Sequence, residues 1–247
     1  MRHMVRVDER DDIGTGVVVI TLDRPDRRNA VDHETLLALL AAQRAHRDAR
    51  VIVLTGAPPA FCAGADLQGV REDVFSADLR RVLHGFTELP CPVVASIDGP
   101  ALGAGAQLVA VADLRMSTPG SVIGIPAAKL GLVVEQWTID RIAREFGASV
   151  ARGMFVGAEM YRGERLHTMG AVHRLGHLDD ALEWAGELAR LAPLSLAGHK
   201  VALEAIAAGR TDDAAATAAR ERAWASDDAA EGRQAFLEKR SPEFRGR

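Results

Sequence analysis

Short runs of apolar residues alternate with helix-compatible segments through the first three quarters of the chain. The apolar runs end in turn residues and predict strands at 16–22, 51–55, 92–97, 113–116 and 122–124. Helices are expected from about Leu36 to His46, over 104–112 and over 138–146. The alternation continues to about Arg174 and is typical of an α/β fold.

The pattern changes towards the C-terminus. From residue 179 onward the predicted elements are helices alone, at 180–191, 193–208, 211–225 and 228–239. We therefore predict a mixed α/β part at 1–190 and a helical part at 191–247.

Composition narrows the function classes. Of the 247 residues 48% are hydrophobic and the net charge is -4, which disfavours general binding to nucleic acid or a membrane surface. Cys62 and Cys91 form no CxxC pair and are expected to be reduced thiols. The N-terminus lacks the apolar segment of a signal peptide, and no apolar run reaches the roughly 18 residues of a membrane span. These observations favour a cytoplasmic protein.

Two loops of small residues each follow a predicted strand and precede a helical segment. They are Ala63-Gly64-Ala65 and Gly103-Ala104-Gly105, and small residues let a ligand approach the backbone. Either loop alone is often only a tight turn, and the second lacks the further residues of a dinucleotide-binding motif. Together the loops can bring two backbone N–H groups to one point, as an oxyanion hole for a thioester carbonyl requires.

A basic loop follows the first predicted strand. It contains Arg24, Arg27 and Arg28 and precedes Asp32, a predicted helix N-cap. Such a loop is either a solvated turn or a phosphate contact, because the guanidinium group offers a fork of donors that suits phosphate.

Five segments in this order resemble the crotonase superfamily, the enoyl-CoA hydratase/isomerase group. They are Ile20–Ala30, Phe61–Leu67, Gly99–Gly105, Lys129–Leu132 and Phe236–Phe244. The resemblance covers about 17–244 and implies a core of repeated ββα turns with a helical C-terminal trimerisation part. It also implies a homotrimer or a dimer of trimers that binds a bent acyl-CoA, with the coenzyme A thioester as ligand and no metal or other cofactor.

The resemblance implies roles for single residues. The oxyanion-hole donors would be the N–H groups of Ala65 and Ala104, although the family usually has Gly at the second position. The Ala63 carbonyl would accept from the adenine amino group, and Arg27 or Arg28 would lie near the CoA phosphates. The remaining positions matched to CoA binding are Ala30, Asp66, Leu67 and, from a neighbouring subunit, Phe236 and Lys239.

The hydratases of this family use two glutamates, and both are missing here. Their positions hold Gln107 and Ala127. A Gln amide can orient water but cannot take its proton, and Ala has no functional group. Since each missing proton-transfer group costs about 10²–10⁴ in rate, we expect no ordinary hydratase activity.

Glu135 is the best candidate for a displaced base. It lies in the segment 133–137, where hydratases carry a Gly-rich loop beside the acyl group. The alternative is a structural carboxylate bonded to Trp137 or to a backbone amide. His84, expected on a helix face, and Asp66, expected to cap the following helix, are weaker candidates.

Gln107, Ala127 and the segment 135–137 also resemble a narrower group of mycobacterial crotonase paralogues. These bind long-chain acyl-CoA without hydrating it, which makes fatty-acid-synthesis enzymes candidate partners. Three functions stay open: a silent acyl-CoA-binding protein of lipid metabolism, an enzyme such as an isomerase or weak hydratase that uses Glu135, and an interaction protein with a lapsed pocket. The CoA-binding motifs argue against the third.

Overall fold

The computed structural model describes residues 4–66 and 72–247, with the backbone alone at residues 72 and 73. The strands are β1 (Val5–Glu9), β2 (Val17–Leu22), β3 (Val51–Gly56), β4 (Val93–Ile97), β5 (Pro100–Leu102), β6 (Leu114–Ser117), β7 (Val122–Gly124), β8 (Met160–Arg162) and β9 (Arg174–Leu175). The helices are α1 (His33–Ala45), α2 (Glu72–Thr87), α3 (Ala104–Ala110), α4 (Gln136–Phe146), α5 (Ala148–Phe155), α6 (Gly163–Thr168), α7 (Leu178–Ala189), α8 (Pro193–Ala207), α9 (Ala214–Trp224) and α10 (Asp227–Glu238).

The strands form two sheets. One has the order β1-β2-β3-β4-β6-β9, in which β1 is antiparallel to β2 and the other pairs are parallel. The other has the order β5-β7-β8. The chain passes from the first sheet to the second and then into a helix twice, in β4-β5-α3 and in β6-β7-α4. The predicted α/β class, with its ββα units and helical C-terminal part, is confirmed.

The central strands are covered on both faces. Val18 and Ile20 of β2 join a cluster that includes side chains of α1, α2 and α3. Val17 and Val19 point the other way, into a cluster with Ala185 of α7. Burial on both faces explains why β2 reads as a continuous apolar run, which is typical of parallel strands.

Most predicted elements lie within three residues of the observed ones. The sequence reading missed β1, where Val5 and Val7 pack on the core while Arg6 faces outward. It also missed β5, because Gly99-Pro100 was interpreted as a break between the strand and the helix. The division at 191 stays a prediction. Within the described ranges, no helix is long and apolar enough to cross a membrane.

Candidate functional site

The two loops of small residues lie against each other. The N–H of Cys62 donates to the carbonyl of Pro100 at 3.0 Å, and the N–H of Leu102 donates to that of Cys62 at 2.9 Å. A Cβ atom built on Gly103 would lie 3.8 Å from Cα of Gly64. The loops after β3 and β5 therefore meet at one place, as the sequence predicted.

The N–H groups of Ala65 and Ala104 lie at this meeting point without an acceptor among the described residues. Val31 bonds to the residues on either side of Ala65, donating to Gly64 and accepting from Asp66, both at 2.8 Å. Ala104 is the first residue of α3 and has no partner within the helix. Among the described residues, neither N–H donates to a protein acceptor.

An alanine at position 104 is compatible with this backbone. The positive φ of the turn, 53°, falls on Gly103, and Ala104 is already helical. A side chain at Gly105 would fail, because its Cβ atom would lie 2.3 Å from the Cys62 carbonyl oxygen. Cys62 itself is fully buried, and burial raises the pKa of its thiol to about 12.

Gln107 is buried on α3 and bonded to Thr138. The Oγ1 atom of Thr138, in the first turn of α4, donates to Oε1 of Gln107 at 2.9 Å. The sequence reading placed Thr138 only at the start of a helix, since nothing local marks a contact across 31 residues.

Ala127 begins a 3₁₀ turn at Ala127–Leu130 and packs against the main core cluster. Lys129, in the same turn, is exposed and has no ion pair within the described part of the chain. The chain then runs through the exposed residues Leu132 and Val133 to α4. Nothing in this turn replaces a carboxylate at Ala127.

Glu135 precedes α4 and is held by Arg80 of α2. The guanidinium bonds to both carboxylate oxygens, with contacts of 2.6, 2.9 and 3.2 Å, and this bonding raises the pKa of Arg80. The expected partners, Trp137 or a backbone amide, were wrong. Trp137 instead stacks on His84, with the ring centroids 4.3 Å apart. His84 lies on a helix face, as predicted.

The loop matched to CoA binding is organised by Arg24. Its partly buried guanidinium contacts Asp32 at 2.9 Å and Asp66 at 3.1 Å, and it donates to the carbonyl of Ala30. Asp66 bonds to Arg24, and its predicted role as the cap of the following helix falls on residues outside those described. Asp32 is the helix N-cap that the sequence predicted, accepting from the N–H of Thr35 at 2.9 Å.

Arg27 and Arg28 lie exposed at the tip of this loop. The Arg28 carbonyl accepts from the N–H of Ala63 at 2.9 Å, which ties the tip to the first loop of small residues. Leu67 lies outside the described residues.

Phe236 and Lys239 lie at the end of α10. The Phe236 side chain is 83% exposed, and Lys239 ends the helix with φ 56°. Both side chains are exposed in the single chain, and their contact with a nucleotide bound by a neighbouring subunit stays a prediction.

Known proteins resemble the chain over nearly its whole length. A family model described as enoyl-CoA hydratase/isomerase matches residues 12–247. A probable enoyl-CoA hydratase, echA6, from Mycobacterium tuberculosis (strain CDC 1551 / Oshkosh) is 42% identical over 237 residues, covering 93% of this chain and 96% of that protein. The 2,3-dehydroadipyl-CoA hydratase of Escherichia coli (strain K12) is 32% identical over 252 residues, covering 94% and 96%.

Solved structures show the same relationship. An enoyl-CoA hydratase/carnithine racemase from Magnetospirillum magneticum superposes with a TM-score of 0.90 at 25% identity, covering 100% of this chain and 97% of the other. An enoyl-CoA hydratase from Mycobacterium smegmatis superposes with a TM-score of 0.86 at 30% identity, covering 98% of this chain and 99% of the other. The predicted affinity to mycobacterial paralogues is confirmed by the relatives that carry the echA6 name. Because the family model and the relatives span almost the whole chain, the protein belongs to the enoyl-CoA hydratase/isomerase family of the crotonase superfamily.

Proposed function

We propose that the protein binds long-chain acyl-CoA in fatty-acid metabolism and does not hydrate enoyl-CoA. The N–H groups of Ala65 and Ala104, which have no acceptor within the described ranges, support binding of a thioester carbonyl. Hydration needs in addition a base that activates water and an acid that protonates the α-carbon. The positions matched to those groups hold Gln107 and Ala127.

The bond between Thr138 and Gln107 is the observation that carries the proposal. Because the hydroxyl of Thr138 donates to the amide oxygen, the amide lies in a fixed orientation inside the protein. An amide has no proton to give or take at ordinary pH. The site therefore keeps two N–H groups that can polarise a thioester and lacks the proton transfer that hydration requires.

The rival proposal, an enzyme that uses Glu135 as base, is disfavoured by Arg80. Both oxygens of the carboxylate are bonded to the guanidinium group. A carboxylate that holds this ion pair has fewer lone pairs left to take a proton from a substrate. The pairing suits a structural role in holding the start of α4 against α2.

The nucleotide end of the ligand is assigned to the loop at Arg27 and Arg28, completed by Phe236 and Lys239 of a neighbouring subunit. This assignment needs a homotrimer or a dimer of trimers. The exposed apolar side chains of Phe236 and of Trp224, 83% and 65% exposed in the single chain, support assembly through the C-terminal helices. A carrier of acyl chains would pass them to fatty-acid-synthesis enzymes.

Calorimetric titration with saturated acyl-CoAs of increasing length, with a crotonyl-CoA hydration assay on the same sample, tests the proposal. We expect binding that tightens with chain length and hydration no higher than a trace. Glu135→Gln should change neither result. Glu187→Gln is the matched control, since Glu187 is another surface carboxylate paired with an arginine. If the wild type hydrates crotonyl-CoA at rates typical of the family and Glu135→Gln abolishes this activity, the rival proposal is established.

A further inference from the structure

The bond between Thr138 and Gln107 determines which end of the amide faces the ligand. Both residues are buried, and the Oγ1 atom of Thr138 is the donor to Oε1 of Gln107 at 2.9 Å. The amide oxygen is therefore engaged by α4. The NH₂ group, which only donates hydrogen bonds, is the end left for another partner.

The NH₂ group of Gln107 has no protein partner within the described residues, yet it is not sealed from solvent. Among the described residues, Nη1 of Arg50 is a side-chain atom that is fully buried and has no hydrogen-bond partner, and the Nε2 atom of Gln107 is not such an atom. The Nε2 atom of Gln107 thus keeps some exposure to solvent. A ligand that covers it must either accept its hydrogen bond or leave a donor unpaired.

The place of Gln107 on α3 shows where the acceptor should be. Gln107 is three residues after Ala104, which puts the two on one helix face, about 4.5 Å apart along the axis. If the thioester oxygen accepts from the N–H of Ala104, the amide lies beside the next part of the acyl chain. An oxygen on C3 is the first acceptor that the chain can present there.

We infer that the site prefers thioesters with a carbonyl oxygen on C3, the 3-oxoacyl class, and that Thr138 is a positioning residue for this preference. The inference rests on the proposed function and specifies its ligand. A carboxylate at position 107 would repel a ketone oxygen, whereas the oriented amide donates to it. A saturated chain of equal length leaves the NH₂ group without an acceptor.

The test compares dodecanoyl-CoA with 3-oxododecanoyl-CoA by calorimetry on the full-length protein. The wild type should bind the 3-oxo ligand about tenfold more tightly, the size expected for one hydrogen bond against an unpaired donor. Thr138→Val should bring the two affinities to within about twofold, because the amide is then no longer held with its NH₂ group towards the ketone. Thr138→Ser, which restores the hydroxyl, should restore the preference.

Thr168→Val is the matched control. Thr168 is exposed on α6, and its hydroxyl donates to the carbonyl of Glu164 in the same helix. This variant should keep the wild-type ratio of affinities. A purely structural tie between α3 and α4 would predict that Thr138→Val weakens both ligands alike and leaves their ratio unchanged.

Each outcome bears on a distinct claim. Equal wild-type affinities for the two ligands would overturn the inference while the proposed acyl-CoA binding stands. Binding of neither ligand would overturn both. A ratio that survives Thr138→Val would remove Thr138 from the preference. Should Thr138→Val fail to fold, Gln107→Met keeps the side-chain length without the amide, and a preference retained in that variant would overturn the inference.

Discussion

The ammonium group of Lys200 lies 2.7 Å from Oδ2 of Asp113. It also donates to the carbonyl oxygens of Phe86 at 3.1 Å and Cys91 at 3.2 Å. Lys200 is on α8 and is 7% exposed, while Asp113 directly precedes β6 and also accepts from the N–H of Val93 at 2.7 Å. One buried ammonium therefore joins α8 to the residue that precedes β6.

Replacing Lys200 by Met should destabilise the protein by about 2–4 kcal/mol, because it strips a donor from three acceptors, one of them charged. The measurement is urea unfolding followed by circular dichroism. Lys129→Met is the matched control, since Lys129 is exposed and lacks an ion pair within the described residues. An equal loss of unfolding free energy in the two variants would show that the contacts of Lys200 do not stabilise the fold.

The sequence predicted the elements that rest on local patterns. The apolar run of β2, the capping of α1 by Asp32 and the juxtaposition of the Gly64 and Gly103 loops follow from periodicity, turn residues and motif order. The side-chain contacts that hold the helices in place could not be predicted in this way. They join residues far apart in the sequence, with separations of 31 residues for Thr138 and Gln107, 55 for Arg80 and Glu135, and 87 for Lys200 and Asp113. No local period marks such pairs, because they depend on how helices cross over the sheet.

The two cysteines should be unreactive in the folded protein. Burial raises the pKa of Cys62 to about 12 and that of Cys91 to about 11, from the usual 9.0. A disulfide reagent such as dithionitrobenzoate at pH 8 should therefore label neither thiol in the native state and both after unfolding. Rapid labelling of one thiol per native molecule would contradict the burial of the two cysteines.

The same shifts predict a loss of stability at alkaline pH. The unfolded thiols ionise near 9, whereas the folded ones stay protonated until about 11–12, so the unfolded state releases protons first. The stability that these groups contribute is complete below pH 9 and falls as the pH rises towards 11. The melting temperature should therefore fall less between pH 9 and pH 11 in the double variant Cys62→Ala with Cys91→Ala than in the wild type.

Binding of acyl-CoA should weaken with added salt, because the proposed phosphate contacts are exposed cations. Lys239→Ala should lower the affinity for decanoyl-CoA about three- to tenfold, the worth of one charge-assisted contact. It should leave the affinity for the N-acetylcysteamine thioester of decanoic acid unchanged, because that ligand lacks the nucleotide. Calorimetry measures both.

Arg152→Ala is the matched control for Lys239→Ala, since Arg152 is an exposed cation on α5. It should affect neither ligand. Equal losses for both ligands in Lys239→Ala would place Lys239 away from the phosphates.

Placing carboxylates at positions 107 and 127 tests why the protein is expected to lack hydratase activity. Gln107→Glu alone should give little crotonyl-CoA hydration, since the second proton-transfer group is still missing at position 127. Gln107→Glu with Ala127→Glu should give weak activity, because the hydroxyl of Thr138 can still donate to a carboxylate at 107. The bulky segment 134–137, held against α2 through Glu135 and Trp137, should keep the rate below that of an ordinary hydratase.

The matched control is Gln107→Glu with Ala127→Gln, which adds the same bulk at position 127 without a carboxylate. If this variant hydrates as well as the double glutamate variant, the gain comes from repacking of the turn at Ala127–Leu130 and not from an acid. If only the double glutamate variant is active, with a bell-shaped pH profile that the wild type lacks, proton transfer is what the natural sequence has lost. Activity of Gln107→Glu alone at the level of the double variant would mean that a second group already present supplies the missing proton.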